Sequence, residues 1–177
     1  EVGYIIIFVG LIGIAIAFWK LFTLYTMGVA VAKQAKSKTH DKTNPLGRVL
    51  AVGEEHMGKD IETLELRLAE AIMAERPSIE RGINVVKIIS VVAPLAGLLG
   101  TVTGMIVTFQ QITLFGTGDP KIMAGGISQA LVTTVLGLVV AIPTTLLHSF
   151  ANSSARGIIN VLEEQSTGIV AEHSDSN

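Results

Sequence analysis

Residues 122–155 read IMAGGISQALVTTVLGLVVAIPTTLLHSFANSSA, thirty-four positions without Asp, Glu, Lys or Arg. A bilayer-spanning helix needs only about 20 apolar residues, because the hydrocarbon core is roughly 30 Å thick. As one helix at about 1.5 Å per residue, this run would reach about 51 Å. It therefore predicts a span that continues into water, with part of its length sheltered by protein. Upstream, residues 88–118 form a second uncharged run, and Val2–Trp19 a third of eighteen residues. Across the 177 residues, 49% are apolar, an ordinary share, but only 16% are charged, against roughly a quarter in soluble domains. The distribution of charge decides the class: an all-α membrane protein with three transmembrane helices and long cytoplasmic helical extensions.

Cysteine is absent, which excludes a disulfide framework and any thiolate metal site. The formal net charge of −2 is too small to suggest nucleic acid as a partner. Val2–Trp19 lacks a basic n-region and a small-x-small cleavage site, so it reads as a span and not as a signal peptide.

The first helix is expected to leave the bilayer at Phe18–Trp19–Lys20, an aromatic and basic anchor. Thr43–Asn44–Pro45 then restarts a helix, with Asn44 as N-cap and Pro45 in the first turn. Ile61, Leu64, Leu68 and Ile72 recur at helical spacing with acidic residues between them, an amphipathic helix packed on a neighbour. Arg76–Pro77 is expected to interrupt it. Asp119–Pro120 repeats the cap-and-proline start for the last helix. Of the thirteen Lys and Arg, eleven lie in residues 20–87, which places that segment in the cytoplasm and the N-terminus outside. The expected layout is residues 1–32 as transmembrane helix 1 with its extension and 33–82 as a cytoplasmic helical domain. Residues 83–115 form transmembrane helix 2, 116–121 an external turn, 122–171 transmembrane helix 3 with its extension, and 172–177 a tail.

Spans two and three are not simple anchors. Pro94, Thr101 and Thr108 recur every seven residues, beside Gly97, Gly100 and Gly104. In the third span Ala130, Thr134, Gly137, Ala141, Thr145 and His148 make a stripe of small and polar residues, while Leu131, Val135, Leu138 and Ile142 occupy the other side. Close helix packing explains small residues, and Gly100-x-x-x-Gly104 has that spacing. A protein-lined pore or partner groove explains the hydroxyls as well, since Thr101 and Thr134 lie near mid-depth. Ion-translocating spans normally carry Asp, Glu or His. Here, from Ile88 to Gly118 and from Ile122 to Ala155, His148 is the only titratable side chain. Any proton-carrying acid must then come from another polypeptide, while Gln129 and His148 are the polar or relay candidates of this chain. His40, His56, His148 and His173 are scattered, so no metal site, cofactor or catalytic constellation is implied, and the chain does not read as an enzyme.

Residues 93–106, APLAGLLGTVTGMI, resemble the second-span signature of the MotA/TolQ/ExbB proton-channel family. Residues 126–143, GISQALVTTVLGLVVAIP, resemble its third-span signature, and Pro77 with Glu80–Arg81–Gly82 is similar to the segment before span two. Gly118–Asp119–Pro120 and Ser128–Gln129 lean toward the accessory ExbB type of TonB systems. The resemblance implies a bacterial inner-membrane, multi-pass subunit with a periplasmic N-terminus and a cytoplasmic C-terminus. It implies a ring-forming oligomer, a pentamer, around a pore holding ExbD-like single-span helices. Each of those helices carries an aspartate, and a TonB-like transducer takes up the work. Thr101 and Thr134 match the family's pore threonines, with Pro94, Thr108, Ala130, Gly137, Ala141 and Thr145 along the same lining and Gly97, Gly100 and Gly104 packing the helices. Gln129 stands where many relatives have glutamate. A TolQ-like role in envelope integrity and cell division shares this chemistry. A flagellar stator subunit usually has four spans, and a non-conducting scaffold would use the small-residue stripes for packing alone.

Overall fold

The computed structural model describes residues 2–116 and 119–175. Gly118 of the Gly118–Asp119–Pro120 motif, and the last two residues of the expected tail 172–177, lie outside them. The described chain is helical, with no strand: α1 (Val2–Ala35), α2 (Pro45–His56), α3 (Ile61–Glu80), α4 (Ile83–Phe115) and α5 (Pro120–Asp175). Three of these, α1, α4 and α5, are long and apolar enough to cross a membrane. At 56 residues, α5 is more than twice the length that about 30 Å of hydrocarbon requires. The expected tail 172–177 is helical as far as Asp175. Two compact units result, one from residues up to Phe18 with Gly82–Ser149, the other from Trp19–Arg81 with the residues from Phe150 on.

The first unit is built by small residues that let helices approach. Ile6, Gly10, Gly13 and Ala17 form the buried face of α1 at four- and three-residue spacing. A Cβ on Gly10 would fall 2.5 Å from Val140 of α5, and one on Gly13 would fall 2.9 Å from Ile89 of α4. Ile6, Ile89, Ala93, Val140 and Ala141 close a common core. Other apolar side chains point outward: Phe8, Leu98, Leu99, Leu131, Val135, Leu138 and Ile142 are exposed. A surface of that kind is solvated by lipid, which is as apolar as the side chains themselves.

In the second unit, Asn44 accepts a 2.8 Å hydrogen bond from the Gly47 amide, and Pro45 opens α2. Asp60 caps α3, accepting from the amide of Thr63 at 3.0 Å and from its hydroxyl at 2.9 Å. These bonds favour the ionised carboxylate and hold Asp60 below the usual carboxylate range. The cap's contribution is therefore complete above that range and is lost only as pH falls through the depressed value. Leu64, Leu68, Ile72 and Ile79 form the buried stripe of α3, while Ile61, expected to join it, lies at the exposed start of the helix. Arg48 clamps Glu75 with two parallel bonds of 2.7 Å. Replacing Arg48 with Met leaves the mostly buried Glu75 carboxylate unpaired. Because Arg48 is itself 39% exposed, the expected loss is about 1–2 kcal/mol, read as a lower thermal midpoint of the purified chain.

Pro77 does not interrupt α3, which continues to Glu80. Proline leaves the Met73 carbonyl without its helical donor, but both residues are exposed, so water can serve that oxygen. Ile79, fully buried one half-turn later, returns roughly 2–3 kcal/mol, of the order of the proline cost. The helix stops where Gly82 takes φ +84°, a left-handed step that a side chain would strain. Lys20 also departs from expectation. Trp19 faces outward, but Lys20 is 2% exposed and donates from Nζ to the Ser78 carbonyl oxygen at 3.2 Å. The last turn of a helix leaves carbonyls without helical amides, and the Ser78 oxygen is the acceptor Lys20 finds there.

Candidate functional site

Within the first unit, α4 and α5 meet along their small residues. A Cβ on Gly97 would lie 2.8 Å from the Thr133 carbonyl oxygen, and one on Gly137 would lie 2.7 Å from that of Ala93. Similar additions at Gly104 and Gly126 would reach Ala130 Cβ at 2.7 Å and Thr108 Oγ1 at 2.5 Å. At Gly97 and Gly137 backbone therefore touches backbone, with no room for a side chain at either position. Of the residues expected along a lining, Thr108, Ala130, Gly137 and Ala141 are buried within the single chain. Pro94, Thr101 and Thr134 are half-buried, and Thr145 is exposed.

This close approach brings Thr101 Oγ1 and Thr134 Oγ1 into hydrogen-bond contact. Thr101 Oγ1 also lies 3.2 Å from the carbonyl oxygens of Gly97 and Ala130, and Thr134 Oγ1 lies 3.4 Å from that of Gly97. Each hydroxyl has one proton to donate, so the two protons are shared among more acceptors than they can serve at once. The carbonyls keep their own helical partners when a hydroxyl turns away. The pair is thus a set of two rotatable donors in a half-buried, uncharged setting, able to turn toward an anion without unfolding a helix.

Thr133 and Thr144 escaped the sequence reading. Thr133 Oγ1 donates to Ala130 O at 2.7 Å and reaches Gly97 O at 3.2 Å, packing against Gly100. Thr144 is fully buried and bonds back to Val140 O at 2.7 Å. Their position beside the predicted stripe was the available signal. Gln129 is exposed, on a groove of about 320 Å³ shared with Thr103, Gln111 and Thr133. His148 is half-buried near the start of α4, with Nδ1 3.3 Å from Ile83 O. Among the described residues no cluster of His, Cys, Asp or Glu could hold a metal ion.

Fold and site together define a multi-pass, all-α membrane protein in which α4 and α5 join through hydroxyls and bare backbone, with no charge between them. A family model described as the MotA/TolQ/ExbB proton channel family matches residues 41–164, and the chain belongs to that family. An ExbB-like biopolymer transport protein of Synechocystis sp. is 45% identical over 89 residues, 49% of this chain and 41% of the relative. The biopolymer transport protein ExbB of Pseudomonas putida is 37% identical over 95 residues, 53% of this chain and 29% of the relative. That of Helicobacter pylori is 36% identical over 86 residues, covering 49% of this chain and 59% of the relative. The chain spans less than two thirds of the length of each.

Proposed function

We propose that the chain is the uncharged sleeve of an inner-membrane proton channel that converts the proton motive force into work on a TonB-like transducer, for transport across the outer membrane. The single observation that carries this reading is the Thr101–Thr134 pair, two donors set in spans that have no acid of their own. An ExbD-like partner helix supplies the aspartate. Burying its ionised form in a dry pore is costly, and the threonine hydroxyls lower that cost at one depth, so protonation is coupled to movement past them. Subunits assemble as a ring, a pentamer, with Pro94 and Thr145 extending the lining on either side of the pair. Thr108, Ala130, Gly137 and Ala141 support it from behind. The N-terminus lies in the periplasm and residues 33–82 in the cytoplasm.

The rival is a scaffold in which the glycines only pack helices; the close α4–α5 contact is compatible with both. Reconstitution separates them. Vesicles holding the chain alone are expected to stay proton-tight. Adding a single-span protein with an aspartate in its span opens a flux that Asp→Asn in that partner abolishes. Leakage through the chain alone at the rate of the pair would overturn the sleeve, and a tight pair would favour the scaffold.

A further inference from the structure

The face that carries the paired threonines ends in a polar residue on each helix. Fourteen residues along α5 from Thr134 is His148, and fourteen residues back along α4 from Thr101 is Lys87. At 3.6 residues per turn, fourteen residues is close to four turns, so each end keeps the face of its threonine, about 21 Å along the axis. The His148 ring is held in place. Its Nδ1 lies 3.3 Å from the carbonyl oxygen of Ile83, the first residue of α4. A carbonyl oxygen only accepts, so Nδ1 is the donor and carries the hydrogen. In the neutral ring, Nε2 is then the nitrogen with the lone pair, and the bond to Ile83 fixes its direction.

We propose that His148 is the proton acceptor at the cytoplasmic end of this face; the assignment rests on the channel reading above. A carboxylic acid that has passed the threonines loses its proton, breaking its O–H bond and leaving a carboxylate. An N–H bond forms at Nε2, giving an imidazolium whose Nδ1–H remains on Ile83 O. Loss of the Nε2 proton to cytoplasmic water restores the neutral ring. The charged group that α4 brings within a turn of Ile83 is Lys87, with Asn84 beside it, and Thr145 and Ser149 are the polar neighbours on α5. Neither α4 nor the first part of α5, from Pro120 to Leu162, nor α1 up to Trp19 contains an acidic side chain. None of those segments offers an imidazolium at position 148 an acidic partner.

The test is His148→Asn, whose side-chain amide can still donate to Ile83 O but has no basic nitrogen. In membrane vesicles from the native cell, with the complex intact by size, proton flux is expected to fall about tenfold. Imidazole in the cytoplasmic compartment should restore it, which a packing role would not allow. Full flux in H148N, or a loss that imidazole leaves untouched, would overturn the assignment; His148→Gln gives the same reading should H148N fail to assemble. Wild-type flux that responds to valine at positions 101 and 134 while ignoring H148N sinks His148 alone. No flux in wild-type vesicles takes down the channel reading and His148 with it.

Discussion

Thr101→Val with Thr134→Val is expected to abolish most proton-dependent uptake while leaving the protein assembled and normally abundant. Valine matches threonine in shape, exchanging a hydroxyl for a methyl, so the α4–α5 contact through Gly97, Gly104 and Gly137 is not disturbed. Removing both hydroxyls together leaves no orphaned donor, and the Gly97 and Ala130 carbonyls retain their helical amides. A loss of both partners at once is close to neutral for stability. The cost falls on the anion that the pair would meet. A hydrogen bond to a charged group contributes about 1.5–3 kcal/mol, and in a dry site the missing donor cannot be replaced by water. One lost donor at about 2 kcal/mol slows passage roughly thirtyfold, and two lost donors slow it further.

The single variants carry a further constraint. Thr101 Oγ1 has the Gly97 and Ala130 carbonyls at 3.2 Å, whereas Thr134 Oγ1 has the Gly97 carbonyl at 3.4 Å. Each remaining hydroxyl in a single variant still has a donor proton free to turn. Uptake in T101V and in T134V should therefore fall less than in the double variant. Uptake at the wild-type level in the double variant, at normal expression, would remove both residues from the proton path.

Much of the fold was legible because it depends on local chemistry. Uncharged runs marked the three long apolar helices, and Asn44–Pro45 and Asp119–Pro120 marked helix starts that the structure places at Pro45 and Pro120. The Leu64–Leu68–Ile72 spacing marked the buried face of α3. What was misread depends on partners that periodicity cannot name. Pro77 looked like a stop because its own cost is local, while the burial of Ile79 that offsets it is tertiary. Lys20 looked like a lipid anchor because Trp19 precedes it, yet successive residues of a helix point about 100° apart, and a carbonyl of α3 meets the lysine. At the candidate site, spacing assigned Thr101 and Thr134 to faces. That the two faces meet, and that Thr133 wedges against Gly100 beside them, required the register between two helices.

That register is set by Gly97 and Gly137, and a double-mutant cycle on them should show it. Alanine at position 97 puts a methyl 2.8 Å from the Thr133 carbonyl oxygen and 3.3 Å from the Gly137 Cα; alanine at 137 puts one 2.7 Å from Ala93 O and 3.1 Å from the Gly97 Cα. Every one of those neighbours is backbone, so neither clash is relieved by a rotamer change and α4 must move away from α5. Overpacking of this kind costs about 1–3 kcal/mol, here together with the Thr101–Thr134 contact, so each single variant is expected to lower the thermal midpoint in detergent and to reduce uptake. The two methyls claim the same gap. Once the helices have separated for the first, the second enters space already opened, and the double variant should cost clearly less than the two singles added. Gly125→Ala, where a Cβ meets nothing within 4 Å, adds the same atom to the same helix and should be neutral or stabilising by up to about 1 kcal/mol. Additive losses at 97 and 137, or an equal loss at 125, would mean that helix propensity and not contact governs these glycines, and the positioning of the threonine pair would then need another cause.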